Sequence, residues 1–309
     1  MRRGRSTPPR LLGGTGLRVP RVSFGGGPLA GMPTVFGYDV DEGRAVRTVR
    51  EILRSPVGCL DTAAAYGEGE GEQRIGLALA ASGGLPDGFV LSTKVDRDAL
   101  TGDYSATQVR RSLEGSLERL GVDRLQLVYL HGPEHLSYAD AMAPGGPVEE
   151  LVRMRDEGLA AHIGLAGGAV GPLARFVATG LFEVLLVHRR WTLVDRSADQ
   201  LIDAAHRAGL AVINGGPYGG GILAKGAGGR AYAGVDPLTV RRVREAGDVC
   251  KRYGVPLAAA ALQFSTRDPR IASTVVGVSR PGRVAQTARL ARWPVPAEVW
   301  EALGHPGGH

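Results

Sequence analysis

The chain has 309 residues, 43% of them hydrophobic and 22% charged, which is the make-up of a folded globular protein with ample material for a core. Its net charge of +6 includes four arginines crowded into MRRGRSTPPR, and with no basic helix or interleaved aromatics downstream it does not read as a nucleic-acid-binding chain. No apolar run of about 18 residues follows those arginines, so neither a signal-peptide core nor a membrane span is expected, and the expected location is cytoplasmic.

Residues 1–9 read as a basic flexible tail, 10–303 as one domain and 304–309 as a flexible C-terminus. RLLGGTGLRVP predicts a short hairpin. After it, short apolar runs predict strands at 22–26, 57–63, 89–94, 125–131, 162–167, 183–188, 211–216 and 273–278. Between them, amphipathic periodicity predicts helices at 41–54, 72–81, 106–120, 148–157, 170–179, 197–208, 240–253 and 283–291, with an extra helix at 256–264 before the last strand. Near-continuous apolar strands alternating with helices argue a parallel sheet covered by helices, and eight such units favour an α/β (β/α)8 TIM barrel over a doubly wound sheet. Cys59 and Cys250 lie far apart and read as buried free thiols, and no ligand cluster for zinc is present.

In such a barrel the C-terminal strand ends share one face, and chemistry collects there. CLDTAAAYGEGEGEQRIG puts Asp61 and Tyr66 at the end of the second run, Lys94 ends the third and His131 the fourth. Taken singly, Asp61 can be a loop cap, Tyr66 a half-buried aromatic, Lys94 a solvated strand end and His131 a core histidine. Four titratable groups on successive strand ends point instead to proton transfer at one rim.

These segments, with VLSTKV, SLERLGVDRLQLVYLHGPE, RDEGLAAHIGLAG and VVGVSRPGRVAQT, resemble the aldo-keto reductase superfamily from about Arg10 to about Leu290. WTLVDRSADQL and YGVPLAAAALQF are similar to its aldose 1-dehydrogenase branch, which includes L-fucose and D-threo-aldose dehydrogenases. The resemblance implies a nicotinamide cofactor at the C-terminal rim and a catalytic tetrad on Asp61, Tyr66, Lys94 and His131. Tyr66 would exchange a proton with the substrate oxygen, Lys94 would favour its phenolate, Asp61 would hold Lys94, and His131 would orient the substrate.

For the cofactor the resemblance implies contacts at Gly26, Ala166, Gly167, His188, Gly215, Tyr218, Gly277, Ser279, Arg280, Arg283, Gln286 and Thr287. Arg280 and Arg283 favour a 2′-phosphate and so NADP, with NAD as the alternative. This chain departs from the family pattern in several places. Ala166-Gly167 replaces a Ser-Asn pair, His188 a Gln, Thr287 an Asn, and Gly215 a stacking Tyr whose part Tyr218 would take. The loops after the strands offer Phe36, Tyr38, His135, Arg190 and Trp191 as substrate contacts, with Trp191 foremost, for a small carbonyl or sugar substrate. The implied reaction is oxidation of an aldose at C1 to the lactone. The alternative is NADPH-dependent reduction of a ketone or aldehyde in specialised metabolism. A cofactor-binding subunit without turnover and a carboxylate-based barrel hydrolase fit the strand-end residues less well, and the oligomeric state is not legible.

Overall fold

The computed structural model describes residues 8–226 and 235–304; positions 1–7 of the expected tail and 305–309 of the expected C-terminal segment lie outside the described residues. Eight parallel strands close into a barrel: β1 Val22–Gly25, β2 Cys59–Asp61, β3 Val90–Val95, β4 Leu125–His131, β5 Ala160–Gly167, β6 Val184–His188, β7 Ala211–Gly215 and β8 Ile271–Gly277. Each pairs with its sequence neighbours, and β8 closes on β1 with Gly277 opposite Gly25.

Helices cover the outside: α1 Glu42–Arg54, α2 Glu70–Ala80, α3 Ala106–Leu120, α4 Pro147–Asp156, α5 Val170–Val177, α6 Asp199–Arg207, α7 Pro237–Arg252, α8 Leu257–Arg267, α9 Arg283–Ala291 and α10 Ala297–Ala302. Their starts follow local chemistry. The side chains of Asp41, Ser105 and Asp236 accept hydrogen bonds from the backbone N–H three residues on, at 2.8, 3.3 and 2.9 Å. In α1, Ala45, Val49, Ile52 and Leu53 recur at helical spacing and are the apolar residues it buries, with Thr48 beside them. The extra helix before the last strand is α8, capped by Pro256. α10 and the one-turn helices Pro33–Phe36, Tyr138–Ala141 and Ile222–Lys225 were not anticipated, being too short to show a period.

The expected hairpin is formed by Arg10–Leu11 and Arg18–Val19. Its Leu12 and Val19 join Cys59, Val90, Leu127, Tyr129, Val184 and Ala211 in the cluster filling the barrel, while a larger cluster lies between barrel and helices. Gly13 sits against Ala211, the first residue of β7, so the hairpin closes the N-terminal end. Side chains alternate along a strand, so the inward positions Cys59, Tyr129, Leu186, Ile213 and Val275 dictate the next inward layer. Two residues further on stand Asp61, His131, His188, Gly215 and Gly277, and Lys94 follows from Val90 by the same count. The top layer of the barrel is therefore the set of residues that the strand ends singled out.

Candidate active site

Lys94 is 1% exposed at its side chain, and its Nζ donates to Asp61 Oδ2 and to the Thr62 carbonyl, both at 2.6 Å. Asp61 Oδ1 accepts from Ser92 Oγ at 2.9 Å, so the carboxylate is held from two sides. Burial is the largest influence on Lys94 and opposes its charge. Asp61 and Tyr66 together outweigh it and hold the ammonium above the ordinary lysine range. Lys94 Nζ lies 5.0 Å from the centre of the Tyr66 ring. Burial pushes the Tyr66 phenol up, Lys94 pulls it down and Asp61 adds to the rise; the net direction is upward. Lysine thus offsets only part of the cost of burial, and the neutral phenol is favoured more than the sequence suggested.

Tyr66 is placed by a tight turn that only glycine permits next to it. Gly67 has φ 61°, and a Cβ there would run into the Ala30 carbonyl. The Tyr66 and His131 rings meet edge to face with centres 6.1 Å apart. His131 Nδ1 pairs with Asp96 Oδ1 at 2.6 Å, and Asp96 Oδ2 accepts the Ala65 backbone N–H at 2.9 Å. One carboxylate therefore ties the histidine to the turn that carries the tyrosine. Sequence reasoning passed over Asp96, although the two-residue period that aligns Ser92 with Lys94 runs on to it. Behind β3, buried Glu72 accepts from Thr93 Oγ1 at 2.5 Å and pairs with Arg119 at 2.7 Å, fixing the strand next to Lys94.

A cavity of about 360 Å³ opens beside this group, lined among others by Ala65, Asp96, Arg97, His131, Glu134, His135 and His188. His135 is among the residues that border it. Phe36 and Tyr66 both lie within 3.6 Å of the point where a Gly27 Cβ would sit, so Phe36 also reaches the site. Tyr38 meets Phe36 at a tilt of 37° with ring centres 6.1 Å apart and carries Lys225 Nζ at 5.8 Å over its face, joining the loops after β1 and β7 across the rim. Arg190 is exposed and donates to the Gly168 carbonyl at 3.0 Å. Trp191 overturns the expectation placed on it. Its ring is 7% exposed, 5.2 Å from Phe264 with the Arg270 guanidinium 5.2 Å away, and its carbonyl accepts from Asn214 at 2.8 Å. An aromatic after a strand can turn outward under the helices as readily as into the mouth, and this one packs the helix layer.

The residues expected at the cofactor lie at or after the strand ends and along α9. Gly26 N–H donates to the Asp61 carbonyl at 2.7 Å; Ala166 is in register with His131, Gly215 with His188, and Gly277 lies against Pro28. Burial, then the electrostatic influence of His131, Arg189, Lys94 and Arg190, lowers His188 from 6.5 to about 4, so it is neutral near pH 7. The Tyr218 hydroxyl is sealed from solvent without a hydrogen-bond partner among the described residues, and burial pushes it up to about 12 against the pull of Arg283. Ser279 is half-buried and Arg280 exposed, and neither Arg280 nor Arg283 has an ion-pair partner among the described residues. Arg283 donates to Gln286 Oε1 at 2.7 Å, and Thr287 is buried on the inner side of α9. These features fit a nicotinamide dinucleotide: glycines at the mouth, an orphan hydroxyl and two guanidiniums without a carboxylate partner among the described residues at α9. One feature was unforeseen. Glu51 Oε2 accepts the Gly282 N–H at 2.6 Å, so a carboxylate from α1 already stands at the start of α9.

The aldo/keto reductase family model matches residues 22–305. A D-threo-aldose 1-dehydrogenase from Pseudomonas sp is 31% identical over 319 residues, covering 93% of this chain and 94% of that protein. An L-galactose dehydrogenase from Arabidopsis thaliana is 31% identical over 283 residues, covering 90% and 86%. A solved aldo-keto reductase from Bacillus halodurans superposes with a TM-score of 0.80 at 22% identity over 96% of this chain and 95% of that one, a likeness of fold. The chain belongs to the aldo/keto reductase family, enzymes that pass hydride between NAD(P) and a small carbonyl or alcohol substrate. Among the described residues no helix is long and apolar enough to cross a membrane.

Proposed function

We propose that the enzyme oxidises an aldose at C1 to the lactone, with Tyr66 as the group that exchanges a proton with the substrate oxygen. The observation that carries this reading is the grouping of Tyr66 and Lys94 with His131, which lines the cavity and meets the Tyr66 ring edge to face, with Lys94 locked by Asp61. The names of the two relatives at 31% identity support the sugar class. A bound nicotinamide would supply the hydride acceptor or donor for C1. Tyr66 takes the hydroxyl proton in oxidation and gives it back in reduction. Lys94 lowers the cost of the phenolate, Asp61 keeps the ammonium in place, and His131 offers Nε2 to the substrate oxygen while Asp96 occupies Nδ1. Arg280 and Arg283 would hold a 2′-phosphate, which favours NADP.

Carbonyl reduction is the second reading, and one observation favours it. The net upward push on Tyr66 keeps the phenol protonated, the form that donates. Steady-state rates on a panel of free aldoses with NADP+ and NAD+, and on aldehydes and ketones with NADPH, separate the two. Lactone formed from an aldose with kcat/KM well above any carbonyl reduction supports the first reading, and the reverse order supports the second.

A further inference from the structure

Two carboxylates line the cavity, and they differ in one respect. Asp96 has both oxygens engaged, by His131 and by the Ala65 N–H. Glu134 Oε2 is sealed from solvent and takes no hydrogen bond from any described residue. The backbone makes room for it. A Cβ at Gly167 would stand 3.0 Å from this oxygen, and one at Gly132 would stand 3.8 Å away. Gly132 has φ 56°, a conformation that lets the chain turn straight out of β4 and hold Glu134 against the end of β5. A carboxylate with one oxygen sealed and no donor on either is costly to keep charged, and a donor that reaches the carboxylate from the cavity Glu134 lines lowers that cost. Arg97 lines the same space, so a further cation is opposed there and a neutral donor is not.

We propose that Glu134 reads the ligand, its carboxylate accepting a hydrogen bond from a neutral O–H or N–H on the molecule bound in the cavity. This rests on the oxidoreductase reading of the cavity given above. The shared chemistry has two sources, a hydroxyl beside the reacting carbon of a sugar or the primary amide of the nicotinamide. In either case Glu134 discriminates through a group that takes no part in the proton or hydride transfer. Simple aldehydes, which lack the hydroxyl, would gain nothing from it if the donor is the sugar's.

The test uses full-length Glu134→Gln and Glu134→Leu. Glutamine keeps the shape and one carbonyl acceptor, and so carries the test if the leucine variant fails to fold. Cofactor affinity is titrated by fluorescence with oxidised and reduced NADP and NAD in the absence of sugar, and kcat/KM is measured on an aldose and on its 2-deoxy analogue. A hydrogen bond to a charged acceptor of this kind is worth roughly ten- to hundredfold. A sugar hydroxyl as donor predicts that loss in kcat/KM for the aldose alone, with the deoxy analogue and cofactor affinity unchanged. The nicotinamide amide as donor predicts the loss in cofactor affinity without sugar, shared equally by both substrates. Variants within twofold of wild type in every measurement overturn the inference. A wild type inactive on every sugar and carbonyl overturns the functional reading instead, whereas indifferent variants of an active enzyme leave that reading standing.

Discussion

Asp96 gives the residue scale its first prediction, because it joins His131 to the turn of Tyr66 through its two oxygens. Asp96→Asn keeps the size but cannot serve both partners as an acceptor, so turnover should fall about tenfold or more with little change in cofactor affinity, and the pH profile of kcat should change shape. An unchanged profile would reduce Asp96 to a packing residue. Lys94→Met removes the one cation that pulls the Tyr66 phenol down, so the rising limb of oxidation should move to higher pH. His188 makes a stability prediction. Its lowered value of about 4 means that the unfolded chain binds the extra proton between pH 6.5 and 4. Stability is full above pH 6.5 and is lost as pH falls through that window, by about 3 kcal/mol in total. Urea unfolding should therefore show His188→Gln gaining about 2–3 kcal/mol on the wild type between pH 7.5 and 4.5, and no relative gain would contradict the neutral, buried imidazole. Asp61, Lys94 and His131 were legible because each ends an apolar run. Asp96 lay on the two-residue period of β3 but past its apolar run, and Glu134 was not legible because the glycine-made space around it is not displayed by one-dimensional spacing. Trp191 was misplaced because residue type alone does not say which way a loop aromatic turns.

At the scale of elements, α2 and α3 approach so closely at Gly76 that a Cβ there would collide with the Arg119 carbonyl. Backbone cannot yield as a side-chain tip does, so Gly76→Ala, ordinarily mild in a helix, should cost about 1–3 kcal/mol or more by denaturant titration. Loss of that contact would also loosen the Glu72–Arg119 pair behind β3. The start of α9 offers the second test. Arg283→Ala should weaken NADP much more than NAD, and Glu51→Gln, which removes a charge competing with phosphate at the Gly282 N–H, should strengthen NADP selectively. Equal effects on both cofactors would make these surface charges. Element order was readable because apolar runs and helical periods are long. β2 is shorter than its apolar run at both ends, although the Thr62 and Ala64 N–H groups still donate to the Ser92 and Lys94 carbonyls of β3.

For the whole molecule, closure of eight strands with the hairpin packed into one end leaves the chemistry at the opposite, C-terminal end. The barrel could be read from the alternation alone, whereas the shape of the mouth depends on loops whose meeting, such as Tyr38 with Lys225, no local pattern announces. The central claim is that Tyr66 moves the proton that accompanies hydride transfer. It is tested most directly by single-turnover absorbance of the nicotinamide in wild type and Tyr66→Phe, with cofactor affinity titrated in parallel. The account predicts a fall of about 10²–10⁴-fold in the hydride-transfer rate with affinity nearly unchanged; a Tyr66→Phe enzyme that transfers hydride at close to the wild-type rate would contradict it.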